Sequence, residues 1–463
     1  MECRQVAQKN TNRLLATGCW LLVALILFSC GEQVTLTATP EPTLAPTETP
    51  APTPTVIPAG LYVDTTAELG AISRLVYGTN YGPWLVVTVD VQDDFEVSGL
   101  TYLRFPGGRF GDTRNVQTFD IDRLIDLAAT IDAEVTISVR LLGGTPERAA
   151  ELVRYTNIEK GYGVKYWSIG NEPSIYIDFQ DALEWDTEYY NEQWRIYAEA
   201  MLAVDPSIEL LGPNIHQISA EPAARPKDPS GRDWLDEFLI ANGDLVDVVT
   251  VHRYPFPIKR TEPVPTFDQL RDNPQEWDDI IPALRATVRE LTGEDKPIGI
   301  MEINSNYTDV STLETSPDSF VNAIWWGDVL GRFINQQVDQ VTHFALQNNR
   351  SGWGMLGRTD VRPTYYTYQL YQRFGDELLF SESDDPHVSV VAARRDDGAL
   401  TIMLINLEDD AVVKPLKIVG LDTREASEVW RLEEDVMAEN LGTMTVGDSV
   451  ELPGWSMTLL VFE

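Results

Sequence analysis

From residue 59 onward, short apolar runs of about six residues alternate with longer amphipathic segments, and this alternation constrains the fold more than any other feature. The runs are 75–80, 100–105, 134–140, 164–170, 208–214, 246–253, 298–303 and 341–348. Most are almost continuously apolar, which is the texture of parallel strands covered on both faces. The segments between them have helical spacing. Over 120–131, Ile121, Leu124, Ile125 and Ala128 share one face. Thr145-Pro146 reads as an N-cap followed by proline at the first helical position. Tyr190, Trp194, Tyr197 and Met201 line one face of a helix that Asp205-Pro206 stops. Pro363 opens another, with Tyr366, Leu370 and Phe374 at four-residue spacing and Gly375 closing it. Eight strand–helix alternations predict an α/β architecture, a (β/α)8 TIM barrel over 59–375.

The last stretch changes period. Runs at 387–393, 400–406, 412–418, 428–431 and 457–462 read as strands, with Asp397-Gly398 as a hairpin turn and no helical segment between them. Residues 376–463 are therefore expected to form a C-terminal antiparallel β-sandwich domain, to which 61–64 adds one strand.

The N-terminus reads as an address. Arg4, Lys9 and Arg13 precede a short apolar run from Trp20 to Phe28, followed by Ser29-Cys30-Gly31. This is the pattern of a signal peptide over 1–30, and the run is too short to span a membrane comfortably. Leu27-Phe28-Ser29-Cys30 resembles a bacterial lipobox, which implies lipidation of Cys30 and a membrane anchor; plain secretion is the alternative. Residues 31–58 are a Thr/Pro-rich linker without Lys, Arg or aromatic residues, a semi-rigid stalk. The expected location is extracytoplasmic, as a secreted lipoprotein.

Composition excludes other classes. Asp plus Glu is 72 against 35 Lys plus Arg, a net charge of −37, which repels nucleic acid. The three cysteines, Cys3, Cys19 and Cys30, all lie in the first 30 residues, so the body has no disulfide, thiolate metal site or cysteine nucleophile. The spacing of His216, His252, His343 and His387 fits no metal-ligand pattern, so no metal is expected.

In such a barrel, chemistry sits at the C-terminal ends of the strands. The fourth run ends Ile169-Gly170-Asn171-Glu172-Pro173 and the seventh ends Met301-Glu302-Ile303-Asn304-Ser305. Two carboxyl groups thus face each other across one opening, the arrangement that glycoside hydrolysis requires. One must hold a proton for the leaving oxygen and the other must stay ionised, so their surroundings must differ. The setting of Glu172 behind Tyr166-Trp167 and before proline favours burial and a raised pKa, whereas Arg104 at the end of the second run is placed to keep Glu302 charged.

These residues carry a resemblance. YWSIGNEP (166–173) with a strand-end glutamate some 130 residues later resembles the retaining glycoside hydrolases of clan A. RFPGG (104–108) and HRYP (252–255) are similar to motifs of the second and sixth strands in that clan, and the nearest patterns are families 39, 44, 51 and 79. The resemblance implies Glu172 as acid/base, Glu302 as nucleophile, Asn171 as a donor to the sugar 2-hydroxyl, Arg104 and Tyr254 as contacts of the nucleophile, and His252 on the same wall. It implies double displacement without metal or organic cofactor, with the two carboxyl groups about 5–5.5 Å apart. Ser168 stands where some relatives have an acidic residue, which bears on substrate.

Asn214, His216, Gln347 and Asn348 end the fifth and eighth runs and either meet sugar hydroxyls or satisfy loop backbones. Trp84, Trp353 and Tyr307 fall in loops where aromatic rings stack on sugars, and Trp325 and Trp326 fall inside a helical pattern. Arg104, Arg109, Arg114, Arg140, Arg253, Lys259, Arg260, Arg350 and Arg358 gather near the strand ends. They either welcome a uronic-acid carboxylate or pair with neighbouring acids, and pairing is the stronger expectation. The rival to an enzyme is a carbohydrate-binding surface lipoprotein without catalysis.

Overall fold

The computed structural model describes residues 59–463 apart from 181, 183, 257–264, 308–313 and 350–351. The signal segment, the linker and Cys30, together with Lys259, Arg260 and Arg350, lie outside the described residues.

Strand β1 (Leu61–Ala71) precedes eight strands that close into a parallel barrel. These are β2 (Gly78–Asn80), β3 (Tyr102–Phe105), β4 (Glu134–Val139), β5 (Tyr166–Ile169), β6 (Glu209–Ile215), β7 (Val248–Arg253), β8 (Ile298–Ile303) and β9 (Gln340–His343). Closure is made where β2 pairs with both β3 and β9, Gly78 lying opposite Tyr102 and Thr342. A Cβ on Gly78 would sit 2.4 Å from the Val341 carbonyl, so only glycine fits the seam. The first run is shorter than expected, because 74–76 turn as a 3-10 helix before the strand starts.

Alternation along the strands sorts the core. Leu103, Phe105, Val135, Ile137, Trp167, Ile169, Val249 and Val251 belong to the large core between strands and helices. Tyr102, Leu211, Val248 and Met301 form a separate small cluster inside the barrel. The helix Thr187–Leu202 buries Tyr190, Trp194, Tyr197 and Met201, and Thr145 caps Pro146–Val153 by accepting from the Arg148 N–H at 3.2 Å. Trp325 and Trp326 are both buried in the helix Phe320–Asn335. The helix that Pro363 opens ends at Tyr371, not at Gly375. Gly375 instead packs on the chain at Arg394, where a Cβ would lie 2.6 Å from the carbonyl oxygen.

The terminal region contains β10 (Glu377–Ser383), β11 (Val388–Arg394), β12 (Leu400–Asn406), β13 (Val412–Val419), β14 (Glu425–Ala426), β15 (Glu428–Glu433), β16 (Val436–Asn440), β17 (Met444–Thr445), β18 (Ser449–Leu452) and β19 (Ser456–Phe462). Nine strands form one continuous sheet in the order β16-β15-β19-β12-β11-β10-β1-β13-β18, and β14 and β17 pair separately. The sheet curls around its own core of Leu61, Val63, Val390, Ile402, Leu404, Leu416, Val450 and Leu460. It is antiparallel except where β1 runs parallel to β13, Leu61 opposite Leu416. Residues 61–71 thus belong to this sheet, beside β10.

Candidate active site

The barrel mouth is organised around one buried arginine. Arg104, at the end of β3, is fully buried. Its two terminal nitrogens donate to Asn80 Oδ1 (2.9 Å), Glu302 Oε1 (2.7 Å) and Asn171 Oδ1 (2.8 Å). Asn80 is oriented in turn by donating to the Met301 and Thr342 carbonyls at 3.0 and 3.1 Å. A rigid planar fork thus ties β2, β3, β5 and β8 together at their C-terminal ends.

Glu302 is buried at 3% exposure. Besides Arg104, its Oε1 accepts the Gly108 backbone N–H at 2.7 Å, and its Oε2 accepts the Tyr254 hydroxyl at 3.0 Å. Three donors on one carboxyl match a group that only accepts, which is an ionised carboxylate. Gly108 has φ +60°, the left-handed turn that aims its N–H at Glu302. Burial and the facing Glu302 carboxylate push the Tyr254 hydroxyl far up, so it remains a donor.

Glu172 has different surroundings. It sits on a left-handed backbone (φ 48°, ψ 53°) that opens the turn 173–175, and its N–H donates to the Asn214 carbonyl at 3.0 Å. No cation touches its carboxyl within salt-bridge range among the described residues; its partner is His252 Nδ1 at 3.0 Å. Burial pushes the Glu172 carboxyl up, opposed by His216, Arg104 and Arg109. Burial pushes His252 down to about 3, so the ring is neutral at neutral pH. The turn is braced by His216 Nδ1, 2.8 Å from Ser174 Oγ. One carboxyl oxygen of Glu172, one of Glu302 and a His252 ring nitrogen lie within 4.8 Å of one another. Such a trio has the donors of a cation site, but the Arg104 guanidinium already supplies the positive charge at Glu302.

The structure gathers Glu172, Glu302, Asn171, Arg104, His252 and Tyr254 at one opening. Asn171 keeps its buried Nδ2 without a protein partner among the described residues. Asn214 is fully buried and donates to Ser168 Oγ at 3.0 Å, leaving its Oδ1 unpartnered. Trp353 packs on Phe344 with ring centroids 4.9 Å apart, and Phe344 meets Tyr254 edge-on at 6.3 Å. Trp84 instead packs on Phe110, at 5.7 Å. Among the basic residues, Arg253 pairs with Glu276 at 2.5 Å and Arg140 Nε donates to the carbonyls of Asp112 and Leu142. Pairing and loop bracing thus account for both.

No protein-family model matches this sequence, and no curated protein matches it. The fold does match solved structures. A family 44 xyloglucanase from Paenibacillus polymyxa superposes with a TM-score of 0.70 at 15% identity, over 87% of this chain and 98% of that one. A family 51 arabinofuranosidase from Xanthomonas axonopodis pv. citri gives 0.69 at 15% identity, over 88% and 100%. A family 44 endoglucanase from Clostridium thermocellum gives 0.68 at 18%, over 87% and 99%. The closed parallel barrel and its terminal sheet thus share their fold with these solved structures over nearly the whole described chain.

Proposed function

We propose that this chain is a retaining glycoside hydrolase in which Glu302 attacks the anomeric carbon while Glu172 protonates the leaving oxygen. Water then cleaves the glycosyl-enzyme, with Glu172 taking its proton. The observation that carries the reading is the asymmetric carboxyl pair. One oxygen of each carboxyl lies within 4.8 Å of the other, so the two groups face each other across one small gap, as a nucleophile and an acid/base on one bond must. One carboxyl is held by a guanidinium, while burial pushes the other up. Asn171 Nδ2, His252 and Asn214 offer polar contacts to sugar hydroxyls, and Trp353 backs the wall that carries Tyr254. The structural neighbours act on xyloglucan, other glucans and arabinofuranosides, and neutral sugars of this kind are the first substrates to test.

The test is hydrolysis of aryl glucosides, xylosides, galactosides, glucuronides and arabinofuranosides, then of xyloglucan and glucan polymers. Turnover of one member is expected, with proton NMR showing a first product of unchanged anomeric configuration. Glu302→Gln should lose more than about a thousandfold. An inverted first product would sink double displacement. Binding without turnover across the panel would leave a carbohydrate-binding lipoprotein.

The N-terminal reading completes the proposal: Cys30 carries a lipid that holds the barrel outside the cytoplasm on a Thr/Pro stalk. A clickable fatty acid should label the full-length protein and fail to label Cys30→Ser.

A further inference from the structure

The two carboxyls of the site are aimed by different means. Glu302 is gripped at its oxygens by Arg104, Gly108 and Tyr254, whereas the Glu172 carboxyl has one hydrogen-bond partner among the described residues, His252 Nδ1. The aim of Glu172 therefore depends on its backbone, which is left-handed at φ 48° and ψ 53°. A residue other than glycine keeps such a conformation where its surroundings over-determine it. The end of β6 does so at two points. The Glu172 N–H donates to the Asn214 carbonyl at 3.0 Å, and Asn214 is itself left-handed at φ 54°. Two residues further on in both segments, Ser174 Oγ accepts the His216 N–H at 3.2 Å and lies 2.8 Å from His216 Nδ1. A serine hydroxyl has one proton to give, and among the described residues Nδ1 is the acceptor placed to take it. Burial pushes His216 down, which favours the neutral ring that can accept it. Ser174 and His216 thus form a two-bond clasp across the turn 173–175, which the Ile175 N–H closes onto the Glu172 carbonyl at 3.1 Å.

We propose that Ser174 and His216 are positioning residues for the acid/base, their clasp fixing the turn so that the Glu172 carboxyl meets the leaving oxygen. The inference rests on reading Glu172 as the acid/base. The role has a signature that general damage lacks. Protonation matters in proportion to the basicity of the leaving group. A dinitrophenolate departs without a proton, whereas a phenolate needs one. Attack by Glu302 is common to both. A misaimed acid therefore slows departure of phenolate alone, and a distorted barrel slows both.

The test compares phenyl and dinitrophenyl glycosides of one sugar on the full-length protein. In Ser174→Ala and His216→Ala, kcat/KM should fall at least about tenfold for the phenyl glycoside and less than about twofold for the dinitrophenyl glycoside. His216→Asn, whose amide oxygen reaches the place of Nδ1, should recover most of the loss. Equal losses on the two glycosides, or none on either, would overturn the positioning role. Nitrogen-15 NMR of labelled histidines, of which the chain has four, gives a readout that needs no substrate. Near neutral pH the His216 ring should carry its proton on Nε2 alone, and Ser174→Ala should mix the two tautomers. A mixed ring in the wild type would overturn the clasp. A fixed tautomer in a protein that turns over no glycoside upholds the clasp and refutes the glycosidase reading. Turnover with equal losses on both glycosides does the reverse.

Discussion

The barrel interior and the terminal sheet are both buried, yet they are filled differently. In the terminal sheet, most residues of β11, β12 and β19 are apolar on both faces, and Thr401, Asn406, Ser456 and Thr458 are the buried polar exceptions in β12 and β19. Val390, Ile402, Leu404 and Leu460 fill the sheet's own core, while Val391, Met403, Ile405 and Leu459 join the core of the barrel helices. The barrel strands present the same apolar outer face, but their inner side carries Arg104, Thr136, Ser138, Ser168, Thr250 and His252, all buried. Several polar atoms there have no protein partner among the described residues, including Ser138 Oγ, Thr250 Oγ1 and His252 Nε2. Orphaned buried polar groups are costly. The sheet is built for stability, and the barrel mouth gives stability up for placed charge.

Four measurements test that contrast. The largest effect is expected from Arg104→Met, which leaves Glu302 buried without its cation and should cost about 3–5 kcal/mol along with turnover. Adding Glu302→Leu should restore most of that stability while turnover stays absent. If the double variant is as unstable as the single one, the ion pair stabilises the fold and the contrast fails. Next, Leu404→Ala in the sheet core should cost about 2–5 kcal/mol in urea unfolding, with kcat/KM per folded molecule unchanged. A changed kcat/KM would mean that the two regions are coupled.

The third effect is acid lability. Burial pushes His252 and His343 down to about 3 from an ordinary value of 6.5. The unfolded chain takes these protons first, so stability is full above about pH 6.5 and declines as pH falls toward 3. Each ring should contribute a loss of about 2 kcal/mol between pH 6.5 and 5. His343→Phe should flatten the decline, and an equal urea midpoint at pH 7 and pH 5 would refute the assignment. The smallest effect is Thr145→Ala, which removes the N-cap of the helix Pro146–Val153 and should cost about 1 kcal/mol in urea unfolding.

Much of the architecture was legible because periodicity survives in long apolar runs. All eight barrel strands lie within or beside their expected segments, and the sheet strands with apolar alternation were visible. The strands not foreseen, β10, β14, β16, β17 and β18, are short, polar or carried by residues such as Glu and Ser that show no pattern. The curl of the sheet and the parallel β1–β13 pair depend on contacts far apart in sequence, which no local window reports. At the site, side chains with distinctive chemistry were found by their strand ends. The Gly108 N–H was missed because a backbone donor has no residue identity; the pair Gly107-Gly108 was its only trace. Asn80 and Ser174 were missed because their roles arise from what they hold, not from where they fall in a motif.

Strand β1 has a consequence for how the molecule is made. It lies inside the terminal sheet, between β10 and β13, and its antiparallel partner β10 follows roughly 300 residues later. At the usual pace of synthesis, about 5–20 residues per second, β1 emerges some 15–60 seconds before either neighbour exists. During that time it is a bare edge, ready to pair with another emerging chain. The sheet can close only after the barrel between its first strand and the rest has been delivered, so the strand made first is among the last to be secured.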